Sequence, residues 1–155
     1  MKNYRMSIVM LLAALCGTLF LFSDAQAQRR ARGRAYTKNQ VNAIIQRVET
    51  RSDDFVGALD KALDNSKLDG TDREDELNRQ AKRMETTIDD LRREFDRKES
   101  YYETKPEVIK VLAIANDINN TMQRRRLGGN AERMWAALRF DLNTLAGVYS
   151  LPGVR

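Results

Sequence analysis

Apolar residues recur at alternating steps of three and four in four stretches of the 155-residue chain. This spacing places them on one side of an α-helix and leaves polar residues on the other side. The pattern predicts helices over about 38–67, 72–99, 105–127 and 131–150. No stretch alternates in the way that a half-buried strand does, so the pattern predicts an all-α protein.

The four predicted stripes have two core positions in every seven, which is the period of helical-bundle packing. Their members are Val41, Ile45, Val48, Ser52, Phe55, Leu59 and Ala62; Leu77, Ala81, Met84, Ile88, Leu91 and Phe95; Val108, Val111, Ala115, Ile118 and Met122; and Trp135, Leu138, Leu142, Leu145 and Tyr149. The first helix could kink at Ser52 or Gly57, although its unbroken spacing favours a continuous helix. Short turns between the later helices favour an up-down antiparallel four-helix bundle over residues 37–155.

Polar residues mark the expected starts of the later helices. Thr71 with Glu74 and Thr104 with Glu107 each match a capping box, in which each side chain satisfies a free backbone N–H of the other residue. Asn130 is in position to cap the fourth helix.

The segment before the first helix has the features of an export signal in residues 1–27. Lys2 and Arg5 precede an apolar run over residues 6–22, which is followed by Ala25-Gln26-Ala27, a small-x-small site of the kind that signal peptidase accepts. The sequence predicts cleavage after Ala27; the alternative is an uncleaved anchor, because the run is at the short end of what spans a bilayer. We therefore expect the protein in the periplasm or outside the cell.

Residue types that carry much of enzyme chemistry are missing. The chain has no histidine, and its one cysteine, Cys16, lies inside the predicted signal peptide. Leu15 precedes it, where a lipoprotein requires a small residue. The predicted mature chain thus lacks the usual ligands of haem and zinc, and we expect no cofactor, no metal and no enzymatic activity.

The excess positive charge lies next to the predicted cleavage site. Residues 28–155 contain 25 basic and 21 acidic residues, and Arg29, Arg30, Arg32 and Arg34 supply the whole excess. Residues 28–36 are therefore predicted to be a basic flexible arm, interpreted either as a solvated linker or as an attachment to anionic lipids or envelope polymers. The rest of the chain is formally neutral, so nucleic acid is not expected as a partner.

Two clusters in the predicted bundle are further candidates for surface binding. Arg124-Arg125-Arg126 either contacts a partner or stabilises the end of the third helix by meeting its dipole. Tyr101 and Tyr102 either pack over the end of the bundle or contact a partner.

Acidic residues give only a weak indication of a metal or catalytic site. The turn between the first two helices has Gly70 and Glu76 in the spacing of a calcium loop, but Lys67 stands where that loop requires an oxygen ligand. We interpret the segment as an ordinary turn. Asp117 and Asp141 are the acids nearest to the apolar stripes, but the sequence does not fix their separation.

Three segments together resemble a group of small exported bacterial proteins without assigned function. They are the motif W-x-x-L-R-x-D-L-x-x-L-A-x-x-Y from Trp135 to Tyr149, residues 48–55 and residues 63–71. The resemblance implies a helical fold and export, and it supplies no activity. The chain is also similar in size, charge and helix content to periplasmic stress chaperones of the Spy and CpxP type, but their Leu-Thr-x-x-Gln motif is absent.

These observations favour a non-enzymatic helical bundle that acts as an interaction or chaperone-like module in the cell envelope. The expected partner is an unidentified protein or client, and self-association is a further possibility. The alternative function is binding of an anionic lipid or polymer surface through the arginine arm.

Overall fold

The computed structural model describes residues 36–125 and 129–155. They form α1 (Lys38–Asp64), α2 (Asp72–Arg97), a short 3-10 helix (Tyr101–Thr104), α3 (Lys105–Arg125) and α4 (Gly129–Val148). No strand occurs in these two stretches, so the all-α prediction is confirmed. The predicted signal peptide and most of the basic arm lie outside the described residues.

The helices form an up-down antiparallel four-helix bundle, as predicted. α1 packs along both α4 and α2, and α3 packs along α2. The direct contact between α3 and α4 is less extensive than these three. In the part of the chain that the structure describes, no helix is long and apolar enough to cross a membrane.

The core follows the predicted stripes closely. Every predicted stripe residue of α2, α3 and the last stripe is buried. Additional core positions widen the stripes of α1, α3 and α4. The additional buried residues are Ile44, Ala58, Leu63, Leu112, Ala131, Ala146 and Val148. The wider stripe is typical of a globular bundle, in which three or four positions per two turns face the core.

The α1 stripe departs from the prediction at its C-terminal end. Leu63 is fully buried, whereas the predicted Ala62 is only partly buried. A helix with 3.6 residues per turn drifts by about 20° per heptad from a strict seven-residue spacing, so after three heptads the next residue faces the core. α1 is continuous through Ser52 and Gly57. Ser52 is 1% exposed, and its Oγ has no hydrogen-bond partner among the described residues.

Caps explain where the helices begin and end. Thr37 Oγ1 accepts from the Gln40 N–H at 3.2 Å, while Gln40 Oε1 accepts from the Thr37 N–H at 2.9 Å. α4 begins at Gly129, so that Asn130 lies inside the helix and does not cap it. α4 ends before its predicted end because the chain turns at Ser150, which has a left-handed φ of 53°.

Thr104 does not cap α3 as predicted. The 3-10 helix runs directly into α3, so the Thr104 hydroxyl instead donates to the Tyr101 carbonyl at 2.7 Å. It also lies 2.8 Å from the Tyr149 hydroxyl. Ser100 and Glu103 form the capping box of this segment, one turn earlier than predicted.

Candidate functional site

Residues 151–155, the tail, lie against both α3 and α4 and are held by asparagine side chains. Asn143 on α4 accepts from the Val154 N–H at 2.6 Å and donates to the Val154 carbonyl at 3.4 Å. Asn116 on α3 accepts from the Arg155 N–H at 3.3 Å. The Val154 side chain is 4% exposed and joins the core. The tail therefore bridges α3 and α4, whose direct contact with each other is small.

Asn119 is the centre of a second polar cluster between α3, α4 and the tail. Its side chain is fully buried, and its Oδ1 accepts from Trp135 Nε1 at 3.0 Å and from Arg139 Nη1 at 3.3 Å. Its amide nitrogen donates to the Arg155 carbonyl. This buried amide accepts two hydrogen bonds and donates one, and it thereby connects α3, α4 and the tail. Its role is structural.

Asp141 forms the most buried ion pair among the described residues. Its side chain is 3% exposed and receives Arg47 Nε at 3.2 Å on one oxygen and Arg51 Nε at 2.6 Å on the other. The arginines come from successive turns of α1, so the carboxylate joins α4 to α1. The other acid near the stripes, Asp117, is exposed on α3.

Tyr101 and Tyr102 lie in different environments. Tyr101 is 6% exposed and packs over the bundle end, with its ring edge against Tyr149 at 5.8 Å between centroids. Burial raises the pKa of Tyr101 to about 12. Tyr102 stacks on Tyr101 at 4.2 Å and is 57% exposed. Of this pair, Tyr102 is the residue that a partner could reach.

The predicted arginine cluster at the end of α3 is only partly described. Arg124 is exposed, and its Nε donates to the Asn120 carbonyl at 2.9 Å near the end of its own helix. This is a contact within its own helix, so both interpretations of the cluster stay predictions. Arg126 and the side chain of Arg125 lie outside the described residues, as do Arg29, Arg30, Arg32 and Arg34.

The turn between α1 and α2 brings three carboxylates close together. As a set, they differ from the residues that the calcium-loop spacing indicated. Oxygens of Asp64, Asp69 and Glu74 lie within 4.8 Å of one another. Glu74 is 8% exposed, and its Oε2 accepts from the Gly70 N–H at 2.6 Å. Calcium takes six to eight oxygen ligands, and this group supplies three carboxylates, one of them engaged with the backbone. Only half of the predicted capping box is present, because Thr71 Oγ1 accepts from the Glu74 N–H at 3.3 Å while the Glu74 carboxylate bonds Gly70 instead of Thr71.

Large apolar side chains are exposed on α3 and α4. Phe140 is 72% exposed and Ile109 is 49% exposed. Ile109 borders a shallow groove of about 320 Å³ between α3 and the tail. The residues that line the groove are Ile109, Leu112, Ala113, Asn116, Leu151 and Pro152. Helical periodicity did not reveal the groove, because the tail supplies one of its walls. The one sign of it in the sequence was an apolar residue outside the α3 stripe, Ile109.

No family model, no curated relative and no solved structure matches the chain. The resemblance based on the three sequence segments therefore stays a prediction.

Proposed function

We propose that the protein is a non-enzymatic, exported helical bundle that acts in the cell envelope by binding apolar segments of a protein partner or client. The observation that carries this proposal is the apolar groove between α3 and the tail. Five of its six lining residues are apolar, and Asn116 is the exception. Its volume of about 320 Å³ suits one or two apolar side chains of a larger partner.

Contiguity distinguishes the groove from ordinary surface exposure. Single exposed apolar residues such as Phe140 are common on soluble proteins and need no functional explanation. Ile109 instead lies beside Leu151 and Pro152, so a partner side chain would meet apolar surface on both sides. Each 100 Å² of apolar surface removed from water there would contribute about 2.5 kcal/mol before the costs of association.

The polar groups described above favour binding over catalysis. Asp141 is paired with two arginines, and Asn119 is hydrogen-bonded to Trp135, Arg139 and the tail. A catalytic acid or nucleophile needs a group that is free to exchange a proton or attack a substrate. These buried groups are engaged in joining helices.

A client-protection assay with matched variants tests the proposal. Ile109→Ser removes half-exposed apolar surface, and Lys110→Ser changes an exposed neighbour on the same helix. The wild-type protein and Lys110→Ser should slow aggregation of a thermally unfolding client protein, as measured by light scattering. Ile109→Ser should lose most of this protection while its circular dichroism spectrum is unchanged. Equal protection by both variants, or none by the wild type, would contradict the proposal.

The second candidate function is attachment to an anionic envelope surface through Arg29, Arg30, Arg32 and Arg34. It is supported by the charge distribution, because these residues supply the whole positive excess of the predicted mature chain. Each arginine near an anionic membrane contributes about 1 kcal/mol, so the arm would bind with about millimolar affinity. Deletion of residues 28–34 should abolish vesicle binding and leave the helical content intact. Added salt should weaken the binding of the undeleted protein.

A further inference from the structure

Arg47 and Arg51 leave part of their hydrogen-bonding capacity directed away from Asp141. Each arginine uses its Nε for the buried carboxylate, and Arg47 Nη1 also donates to the Ala43 carbonyl at 3.3 Å. Arg47 Nη2 and both Nη atoms of Arg51 have no hydrogen-bond partner within residues 36–124 and 129–155. The two side chains remain 49% and 43% exposed.

Both guanidinium groups border an open groove of about 490 Å³ on the outer side of α1. The lining residues are Ala43, Gln46, Arg47, Thr50, Arg51 and Asp54. The ion pairs with Asp141 leave one net positive charge on this cluster, and Asp54 provides the opposing charge in the groove. The formal charges of the two arginines and the two aspartates thus cancel, so binding of an anion here depends on the directed N–H groups of the arginines.

Asp141 makes the arginine pair different from two freely moving surface side chains. Like charges one helical turn apart repel each other, and an exposed arginine loses conformational freedom when it binds an anion. The buried carboxylate offsets the repulsion and holds both side chains before a ligand arrives. Such preorganisation reduces the cost of binding.

We propose that Arg47 and Arg51 form a binding site for a phosphate group, with Asp141 as the positioning residue. The three guanidinium nitrogens without a partner offer N–H donors, and a phosphate monoester has three acceptor oxygens that can use them. A planar carboxylate offers two oxygens, and one carboxylate already occupies the inner side of the pair. This site lies on α1 and α4, and it uses no residue of the apolar groove or of the arginine arm.

Titration with phenyl phosphate, followed by NMR on the full mature chain, tests the proposal. The Nε–H resonances of Arg47 and Arg51 should shift saturably, with a dissociation constant of about 1 mM. Arg51→Gln should weaken binding about fivefold, because one guanidinium is lost. Asp54→Asn should tighten it about twofold, because a repulsive charge is removed without altering the ion pair. Arg83→Gln, an exposed charge change on α2, is the matched control and should have no effect.

Three outcomes would overturn the proposal. The first is an equal loss of affinity in Arg83→Gln and Arg51→Gln, which would show nonspecific attraction. The second is unchanged affinity in both Arg51→Gln and Asp54→Asn. The third is equally tight binding of acetate at matched ionic strength, which would rule out phosphate recognition.

The same variants identify the source of the phosphate. Vesicles of phosphatidylcholine with phosphatidic acid present the group on a membrane. The arm has the same sequence in every variant, so a difference between variants reports on the proposed site. If Arg51→Gln weakens binding to both vesicles and phenyl phosphate, a lipid headgroup reaches the site. If it weakens only the binding of phenyl phosphate, the ligand is a soluble phosphate ester.

Discussion

Gly153 lies so close to Asn143 that a Cβ atom at Gly153 would stand 2.5 Å from Asn143 Oδ1. That oxygen accepts the 2.6 Å hydrogen bond from the Val154 N–H, so it cannot move aside without loosening the tail. The glycine is therefore required for close approach of the tail to α4, and its φ is not in the left-handed region.

Gly153→Ala should destabilise the bundle by about 1–3 kcal/mol, the usual effect of forcing an extra methyl group into a packed contact. Gly57→Ala is the matched control, since a Cβ at that position meets nothing within 4 Å and the residue lies inside α1. It should stabilise the protein by up to about 1 kcal/mol, because alanine favours a helix more than glycine does. Urea unfolding measures both changes. A loss of stability in Gly57→Ala or a gain in Gly153→Ala would contradict the packing described.

Asp141→Asn tests whether the buried carboxylate joins α4 to α1. The substitution keeps the size of the side chain and leaves Arg47 and Arg51 without their shared anion. We expect the free energy of unfolding to fall by about 2–3 kcal/mol, because the buried carboxylate that pairs both arginines is lost. The loss is limited because the half-exposed arginines regain some hydration. Asp117→Asn, on the exposed side of α3, should change it by less than about 0.5 kcal/mol. Similar values for the two variants would contradict a stabilising role for the ion pair.

The sequence was sufficient to predict the fold because helical periodicity records which face is buried. Residues such as Leu91 and Leu138 are fully buried at the positions that the spacing indicates. The error at Ala62 arose from a strict seven-residue count, which a straight helix does not follow. Helix boundaries were less accurate where a local contact decided them, as at Thr104.

The candidate sites were much less predictable than the fold. Asp141 stood out only as an acid near an apolar stripe, and Asn119 did not stand out at all. Their partners are distant in sequence, so no local pattern indicated the contacts that they make. The position of the tail could not be predicted from local sequence either, because it depends on asparagines from two helices. Arg47 and Arg51 stand one turn apart on a charged face, where their spacing is typical of a solvated helix surface.

Leu91→Asp tests the core of the bundle. Leu91 is fully buried on α2, and the substitution removes an apolar side chain and introduces a charge without a partner. A buried leucine contributes about 2–5 kcal/mol, and a domain has only about 5–15 kcal/mol in total. Circular dichroism should show an unfolded or strongly destabilised protein, whereas Thr86→Asp on the exposed face should fold normally. An unchanged melting temperature in Leu91→Asp would show that the core-facing side of α2 is assigned incorrectly.

Calcium, zinc and iron should leave the melting temperature of the protein unchanged. The carboxylates of Asp64, Asp69 and Glu74 come close together, but Glu74 is engaged by the Gly70 N–H. Specific binding of a metal to the native state must raise the melting temperature, so thermal melts with and without each metal give a direct measurement. A saturable rise with calcium that disappears in Asp69→Ala would identify the turn as a metal site.

Asp53 stands on α1 among acidic side chains from both α1 and α2. Partial burial raises its pKa above the ordinary value of 3.8, and the carboxylates of Glu85, Asp89 and Glu49 raise it further. A raised pKa in the folded state means that protonation favours folding. The contribution of Asp53 to stability is therefore fully present below its unfolded pKa, and it is lost as the pH rises through its folded pKa.

Asp53→Asn should consequently raise the melting temperature at neutral pH, because it removes a negative charge from an acidic surface. The difference from the wild type should shrink toward zero as the pH falls below about 3, where Asp53 is protonated in both folded and unfolded protein. Asp117→Asn removes the same charge from an exposed position on α3 and should give a smaller change at neutral pH. Thermal melts across this pH range measure the effect. A lower melting temperature for Asp53→Asn at neutral pH would show that the ionised carboxylate stabilises the fold, which is the opposite of the direction that its raised pKa requires.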